Sequence, residues 1–146
     1  MSNQLKVSIF LSRIALGVLF FYAGITKVLN PNWSAAGYLN SAKTFPGLYH
    51  WFASAGNIGW INFMNEWGLT LIGLALITGL LVRWASLGGI LLMILYYLPI
   101  LQFPYVGEHS FLVDEHIIYI TTFFIFITSN PATFWGLDSL LQKRGK

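Results

Sequence analysis

The stretch Trp60–Phe103, "WINFMNEWGLTLIGLALITGLLVRWASLGGILLMILYYLPILQF", carries charge only at Glu66 and Arg83. A helix that crosses a bilayer takes about 20 mostly apolar residues, and Arg83 stands where two such segments meet. The stretch reads as two crossings, about Trp60–Val82 and Trp84–Phe103, joined by a tight turn. Two further apolar segments flank them: "VSIFLSRIALGVLFFYAGITKVL" at about Val7–Leu29 and "LVDEHIIYITTFFIFITS" at about Leu112–Ser129. Asn30–Pro31 and Asn130–Pro131 stop the first and the last, because proline lacks an N–H and pushes the residue before it out of the α region. The expected fold is an all-α integral membrane protein: a four-transmembrane-helix bundle forming a single domain over residues 1–146.

The composition agrees. Apolar residues make up 56% and charged residues 9%, against about a quarter charged in an ordinary soluble domain. Mean hydropathy is +0.67. Arg13 interrupts the first apolar run, and no small-residue cleavage site follows it closely, so that run reads as a retained helix rather than a signal peptide. There is no cysteine, which excludes thiolate nucleophiles and thiolate-bound metals or clusters. The three histidines, at 50, 109 and 116, are scattered and form no metal-binding motif,.

Between the first two crossings, residues 31–59 hold six aromatic residues but one charge, Lys43. Aromatic residues with few charges suit the membrane–water boundary. "PNWSAAGYLNSAK" and "FPGLYHWFASAGN" each read as a short interfacial helix, with Ser34 as a cap of the first, Pro46 in the first turn of the second and Gly56 at its end. Together they make a lid. Four crossings put both termini on one side with Arg83. That side collects Lys6, Arg83, Lys143, Arg144 and Lys146, and the positive-inside rule makes it cytoplasmic. The expected location is the inner membrane, with the lid and the "VGEHSF" loop facing outward.

A charge at a helix centre costs about 2.5–3.5 kcal/mol on insertion scales and usually faces the bundle interior. Arg13, Gly17, Phe20, Gly24 and Lys27 are spaced 4, 3, 4, 3, which makes one helical stripe, and its glycines allow close approach of another helix. Glu66, Gly73, Leu76, Gly79 and Arg83 fall on a similar face of the second crossing. At the outer end stand Lys27, Glu66 and the run Asp114, Glu115, His116, with Glu108 and His109 nearby. Lys27 and Glu66 are a candidate ion pair. Asp114 suits an N-cap, acidic residues favour a helix start, and Glu115 and Tyr119 stand four apart on one face. In a regular helix Asp114 and His116 cannot both point inward, so Glu115 and His116 are expected inward with Asp114 as the cap.

This arrangement suits a quinone site, which needs an apolar slot and one or two groups that carry protons. The slot is expected between the second and third crossings near Trp67, Tyr96 and Tyr97, with Glu66, Glu115 and His116 handling protons. Lys27, with Lys43 or Arg13, would attract a small anion. The expected substrate-binding set is Lys27, Arg13, Trp67, Tyr96, Asp114 and Tyr119.

The run "NEWGLTLIGLALITGLLVRWASLGGILLMILYY", the element "VDEHIIY", the closing "WGLD" and the first crossing "SRIALGVLFFYAGITKVLNP" together resemble the DoxX/DoxD group of small prokaryotic membrane proteins, and the DoxD branch most. The resemblance implies a four-helix membrane bundle and, from DoxD, a subunit of a thiosulfate:quinone oxidoreductase that works with a second subunit, DoxA. No fused DoxA-like domain is expected after "WGLD", so that partner is either a separate chain or absent. Other expected partners are the lipid bilayer, another redox complex and a second copy of the chain. Nucleic acid is not among them, because the basic patch is small and local. The competing reading is a non-catalytic anchor or assembly subunit of a respiratory or redox complex. A small transporter comes third, since four helices are few for alternating access and no inverted repeat is evident.

Overall fold

A computed structural model of the chain describes residues 1–107, 109–129 and 135–139. Glu108, Asn130–Pro131 and the basic residues Lys143, Arg144 and Lys146 lie outside the described residues. The described part is helical: α1 Asn3–Val28, α2 Ala36–Asn40, α3 Pro46–Ala53, α4 Ile58–Thr78, α5 Val82–Ile100 and α6 Glu115–Ser129. α1, α4 and α5 are long and apolar enough to cross a membrane, whereas α6 is apolar but has only 15 residues. Leu11, Val18, Leu71, Leu87, Leu91 and Phe124 all stand exposed on the flanks of these helices. Such a surface is at home in lipid, not water, and the chain is a multi-pass membrane protein.

The helix expected over Trp60–Val82 ends early, at Thr78. Gly79 takes the left-handed conformation (φ 69°), and its N–H and that of Leu80 both bond Ala75 O, at 2.9 and 3.1 Å. Glycine meets no Cβ penalty there and so closes the helix. As a result Arg83 belongs to the first turn of α5, exposed, and not to the connecting turn. At its other end α5 stops at Ile100, short of Phe103.

Glycines set the packing. A Cβ on Gly24 would collide with Thr70 N and Oγ1, and one on Gly73 with Phe21 N, while one on Gly17 would come 2.9 Å from Ile77 Cγ1. α1 and α4 therefore touch backbone to backbone, as small residues permit between membrane helices. α5 and α6 form the second pair, where Gly89 receives the Phe123 ring. The pairs meet at an aromatic core: Phe20 stands edge-on to Phe123 (5.3 Å) and Tyr119 (5.8 Å), above fully buried Leu76 and Phe126.

Beside the α4–α5 turn, against Gly79, Arg13 is 1% exposed. Its Nη2 donates to Trp135 O at 2.7 Å, and its guanidinium lies 5.1 Å over the Phe10 ring. Asp138 of the same "WGLD" segment accepts from Leu81 N (3.0 Å) and donates its own N–H to Gly79 O (3.2 Å). The closing motif thus clasps the α4–α5 turn.

The two short helices expected between the first crossings are α2 and α3. Pro46 occupies the first turn of α3, where its missing N–H costs nothing. Ser34 Oγ accepts from Ala36 N (3.2 Å), although Ala35 is the residue from which α2 starts. Gly56 does not end α3, which stops at Ala53 with Ser54 as its cap.

Candidate functional site

α2 and α3 are fastened to the C-terminal end of α5, and the fastening has a simple cause. The last carbonyls of a helix have no partner within it, and Pro99, inside α5, withholds the N–H that would bond Leu95 O. The Tyr49 hydroxyl donates to Leu95 O (3.0 Å), the Tyr38 hydroxyl to Tyr96 O, Lys43 N to Pro99 O (2.8 Å) and the Thr44 hydroxyl to Leu101 O (2.6 Å). Beneath these bonds Ala35, Leu39, Ala42 and Tyr49 form a small core of their own, with Trp33 and Phe52 against it. Burial raises the pKa of both hydroxyls above the usual phenol range, and Tyr96, Tyr49 and Asp114 push that of Tyr38 further. The two phenols remain neutral donors at physiological pH.

Under this lid α4 and α5, consecutive in the chain, stand apart around a crevice of about 640 Å³, within the ordinary range for a small-molecule site. Its walls are Ile61, Met64, Gly68, Leu71 and Ile72 from α4 and Gly88, Leu91, Leu92, Leu95 and Tyr96 from α5, roofed by Trp33, Tyr38, Tyr49 and Phe52. The few polar groups gather at the lid end. The Tyr96 hydroxyl donates to Asn65 Oδ1 at 2.6 Å, and Ser34 and Lys27 reach the rim. Lys27 Nζ donates to Ala23 O (3.0 Å) and lies 5.4 Å over the Trp33 ring.

His116 approaches from the far side of Tyr96. The two rings are stacked, with centroids 5.9 Å apart and planes 17° from parallel. His116 Nδ1 is held by Asp114 Oδ2 at 2.6 Å. Asp114 Oδ1 also accepts from His116 N (3.0 Å) and Ile117 N (3.3 Å), which caps α6. One carboxylate therefore starts the helix and fixes the imidazole. The expectation that Asp114 and His116 must diverge is corrected: Asp114 lies outside the helix, which begins at Glu115, so helical spacing does not separate the two side chains.

The remaining expected residues divide. Tyr96, Lys27, Asp114 and His116 are brought to one end of the bundle, and Tyr119 lies in the core below them against Phe20. Glu115 is exposed rather than inward, since the first turn rotates it away when His116 faces Tyr96. Glu66 is half-buried between α1 and α4 and interacts with Lys27 through its charge, but the two form no direct ion pair, because Lys27 turns to Ala23 O and Trp33. Trp67, 40% exposed, pairs with Phe63 on the outer flank of α4 and does not line the crevice. Tyr97 also lies outside it, donating to Leu112 O (2.6 Å). Arg13 lies near the middle of α1, about 21 Å along the helix from Lys27, in the clasp with Trp135.

Two site residues escaped the sequence reading, Asn65 and Tyr38. Asn65, Gly68 and Ile72 share one helical face by their 3, 4 spacing, and that signal was present. A search for charges passes over a neutral amide. Among the described residues, no three His, Asp or Glu side chains converge as a metal site.

Over residues 8–100, from α1 to the end of α5, the sequence matches the DoxX family. The chain belongs to the DoxX family. Its DoxX match takes in the crevice, the lid and Lys27, while Asp114 and His116 follow the matched segment. No curated protein and no solved structure matches the chain.

Proposed function

We propose that this DoxX protein is the quinone-binding membrane subunit of an oxidoreductase, with its site at the extracytoplasmic end of a four-helix transmembrane bundle. α6 makes the fourth crossing: it is uncharged after His116 and lies along α5. α2 and α3 rest at the interface as an aromatic lid. Lys6 and Arg83 at one end, against Lys27 and Lys43 at the other, leave the orientation to the further basic residues of the C-terminus, which favour a cytoplasmic inner end.

The observation that carries the reading is the meeting of two environments at Tyr96. Its hydroxyl and Asn65 stand in an apolar crevice, and its ring backs onto a histidine held by a carboxylate. A quinone ring needs apolar walls, neutral hydrogen-bonding groups for its carbonyls and a route for two protons. Tyr96, Asn65 and Tyr38 serve the ring, and the Asp114–His116 pair serves proton exchange with the outer face. Reduction takes two electrons and two protons to give the quinol. If thiosulfate is the donor, two thiosulfates join through a new S–S bond to give tetrathionate and release those two electrons. The chain has no cysteine, so electrons arrive directly or through a separate DoxA-like or other redox subunit.

The purified protein, with and without candidate partner chains, is assayed for thiosulfate-dependent reduction of a short-chain quinone analogue. Activity that Tyr96→Phe and His116→Ala both depress supports the reading, and activity indifferent to both removes it. The absence of cysteine also favours a second reading, a non-catalytic anchor for a redox complex. In that case the protein copurifies with a stoichiometric partner and the two variants leave the partner's activity unchanged.

A further inference from the structure

The glycines of the long helices fall into two classes. Gly17, Gly24, Gly73 and Gly89 are wedged, and a Cβ on any of them would strike a neighbouring helix. Gly68 and Gly88 are not. A Cβ on Gly68 would meet nothing within 4 Å, and one on Gly88 only Ile72 Cδ1 at 3.8 Å, an ordinary contact. Neither packing nor backbone conformation asks for glycine there, and glycine inside a helix costs about 1 kcal/mol relative to alanine. What the two share is the crevice: they face it from opposite walls, Gly68 on α4 and Gly88 on α5. Their missing side chains keep it open.

The crevice itself has unlike ends. From Trp60 to Ile72 it follows α4 for about 18 Å at 1.5 Å per residue. The lid end holds Tyr38, Asn65 and Tyr96. The lower end, walled by Gly68, Leu71, Ile72, Gly88, Leu91 and Leu92, has no polar side chain. Leu71 and Leu91, on its rim, are 56% and 61% exposed, so this end opens sideways, at a depth where the surroundings are hydrocarbon. The upper approach is obstructed by the four hydrogen bonds that fasten the lid to α5.

We infer that the lower crevice holds the isoprenoid tail of a membrane quinone, which enters laterally between α4 and α5 past Gly68 and Gly88 and brings its ring to rest beside Tyr96. This inference rests on the quinone reading and adds to it the tail site and the route. A single uncharged head on one apolar chain matches a slot with one apolar arm and a neutral hydrogen-bonding end. A phospholipid carries two chains and a charged head, for which the slot has one arm and the already engaged Lys27.

The test measures quenching of the protein's tryptophan fluorescence by two probes, 2,3-dimethoxy-5-methyl-1,4-benzoquinone and its 6-decyl derivative. A Gly68→Leu, Gly88→Leu variant should bind the decyl probe at least tenfold more weakly than the wild type and the tailless probe within twofold. Leu71→Trp, at the mouth, is the second variant should the leucine pair misfold, and the same split is expected of it. A wild type that binds both probes, with variants that weaken both equally or neither, overturns the tail site and the route but leaves the quinone reading standing. A wild type that binds neither removes both. A copurifying phospholipid that the decyl probe fails to displace, read by native mass spectrometry, overturns the inference by assigning the lower crevice to an acyl chain.

Discussion

The His116 ring is stacked on that of Tyr96, 5.9 Å between ring centres and 17° from parallel, so that it meets the crevice wall through another ring. The Tyr96 hydroxyl, bonded to Asn65, marks the inner side of that contact, and Asp114, gripping Nδ1, marks the outer side. Each of these partners can be removed separately.

His116→Ala should lower quinone turnover by about 10²-fold, the lower end of what a positioned acid or base contributes, and change quinone affinity less than threefold. Steady-state kinetics with a soluble quinone analogue separate the two. Asp114→Asn is the companion, because asparagine caps a helix about as well as aspartate. Its melting temperature should stay near that of the wild type while turnover falls.

Tyr96→Phe keeps the stacking surface and leaves Asn65 Oδ1 without its donor. A half-buried acceptor left bare costs about 1–3 kcal/mol. Where bound quinone had used the same hydroxyl, affinity should fall about tenfold, which is about 1.4 kcal/mol. Fluorescence titration of the variant reads the change, and unchanged affinity would remove Tyr96 from the binding set.

Gly24→Leu should fail where Gly68→Leu does not. The first drives a side chain into the backbone of α4 at Thr70, and the second projects into open space. Overpacking of the first kind costs about 1–3 kcal/mol or more. Thermal unfolding in detergent should show a clear loss for Gly24→Leu and little change for Gly68→Leu.

Alkaline pH should loosen the lid. Burial raises the pKa of Tyr38 and Tyr49 above the usual value of about 10,. A group whose folded pKa is raised contributes stability that is complete below its unfolded pKa and is lost as pH climbs through the folded one. Stability should hold up to about pH 10 and decline above it, as each phenol is pressed to release the proton it donates to α5. Melting temperatures measured from pH 8 upward, for the wild type and for Tyr38→Phe, give the comparison. The variant should be less stable at pH 8 and show a shallower alkaline decline.

Arg13→Ala tests the clasp with Trp135. Loss of a charged hydrogen bond to Trp135 O and of the buried guanidinium should destabilise the protein by about 1.5–3 kcal/mol. The affinity for a small anion such as thiosulfate should not change, because Arg13 lies about 21 Å along α1 from Lys27 and is engaged by Trp135 O.

The long helices were legible from the sequence because a membrane leaves little choice: a run of about 20 apolar residues has to satisfy its own backbone. The glycine stripe of α1 was legible for a related reason, since 3, 4 spacing fixes a face whatever packs on it. A crevice does open between the second and third crossings, with Tyr96 on its wall. What did not follow depended on choices between equally good partners. Lys27 had Glu66, Trp33 and Ala23 O within its reach, and no spacing rule ranks them. Asp114 could be the first residue of the helix or the last before it, and that single position decides whether it can hold His116. Trp67 and Asn65 are two residues apart on α4, which points them about 200° apart round the helix, so the same apolar run offers either face to the crevice and spacing alone does not say which.

The turn at 79–81 joins α4 to α5 at one end, and the "WGLD" segment grips that turn through Asp138. The two helices are then the arms of a forceps whose fulcrum is that turn, with Asn65 and Tyr96 on the halves of the arms away from it. An arm of 21 residues is about 30 Å long, so a rotation of about 5° at the fulcrum moves a tip by about 2–3 Å. The lid joins both arms: beside its bonds to α5, Ala35 N donates to Asn62 Oδ1 of α4 at 3.0 Å, and Phe52 stands edge-on to Trp60 of α4. The grip of one aspartate thus fixes the turn from which both walls of the crevice diverge.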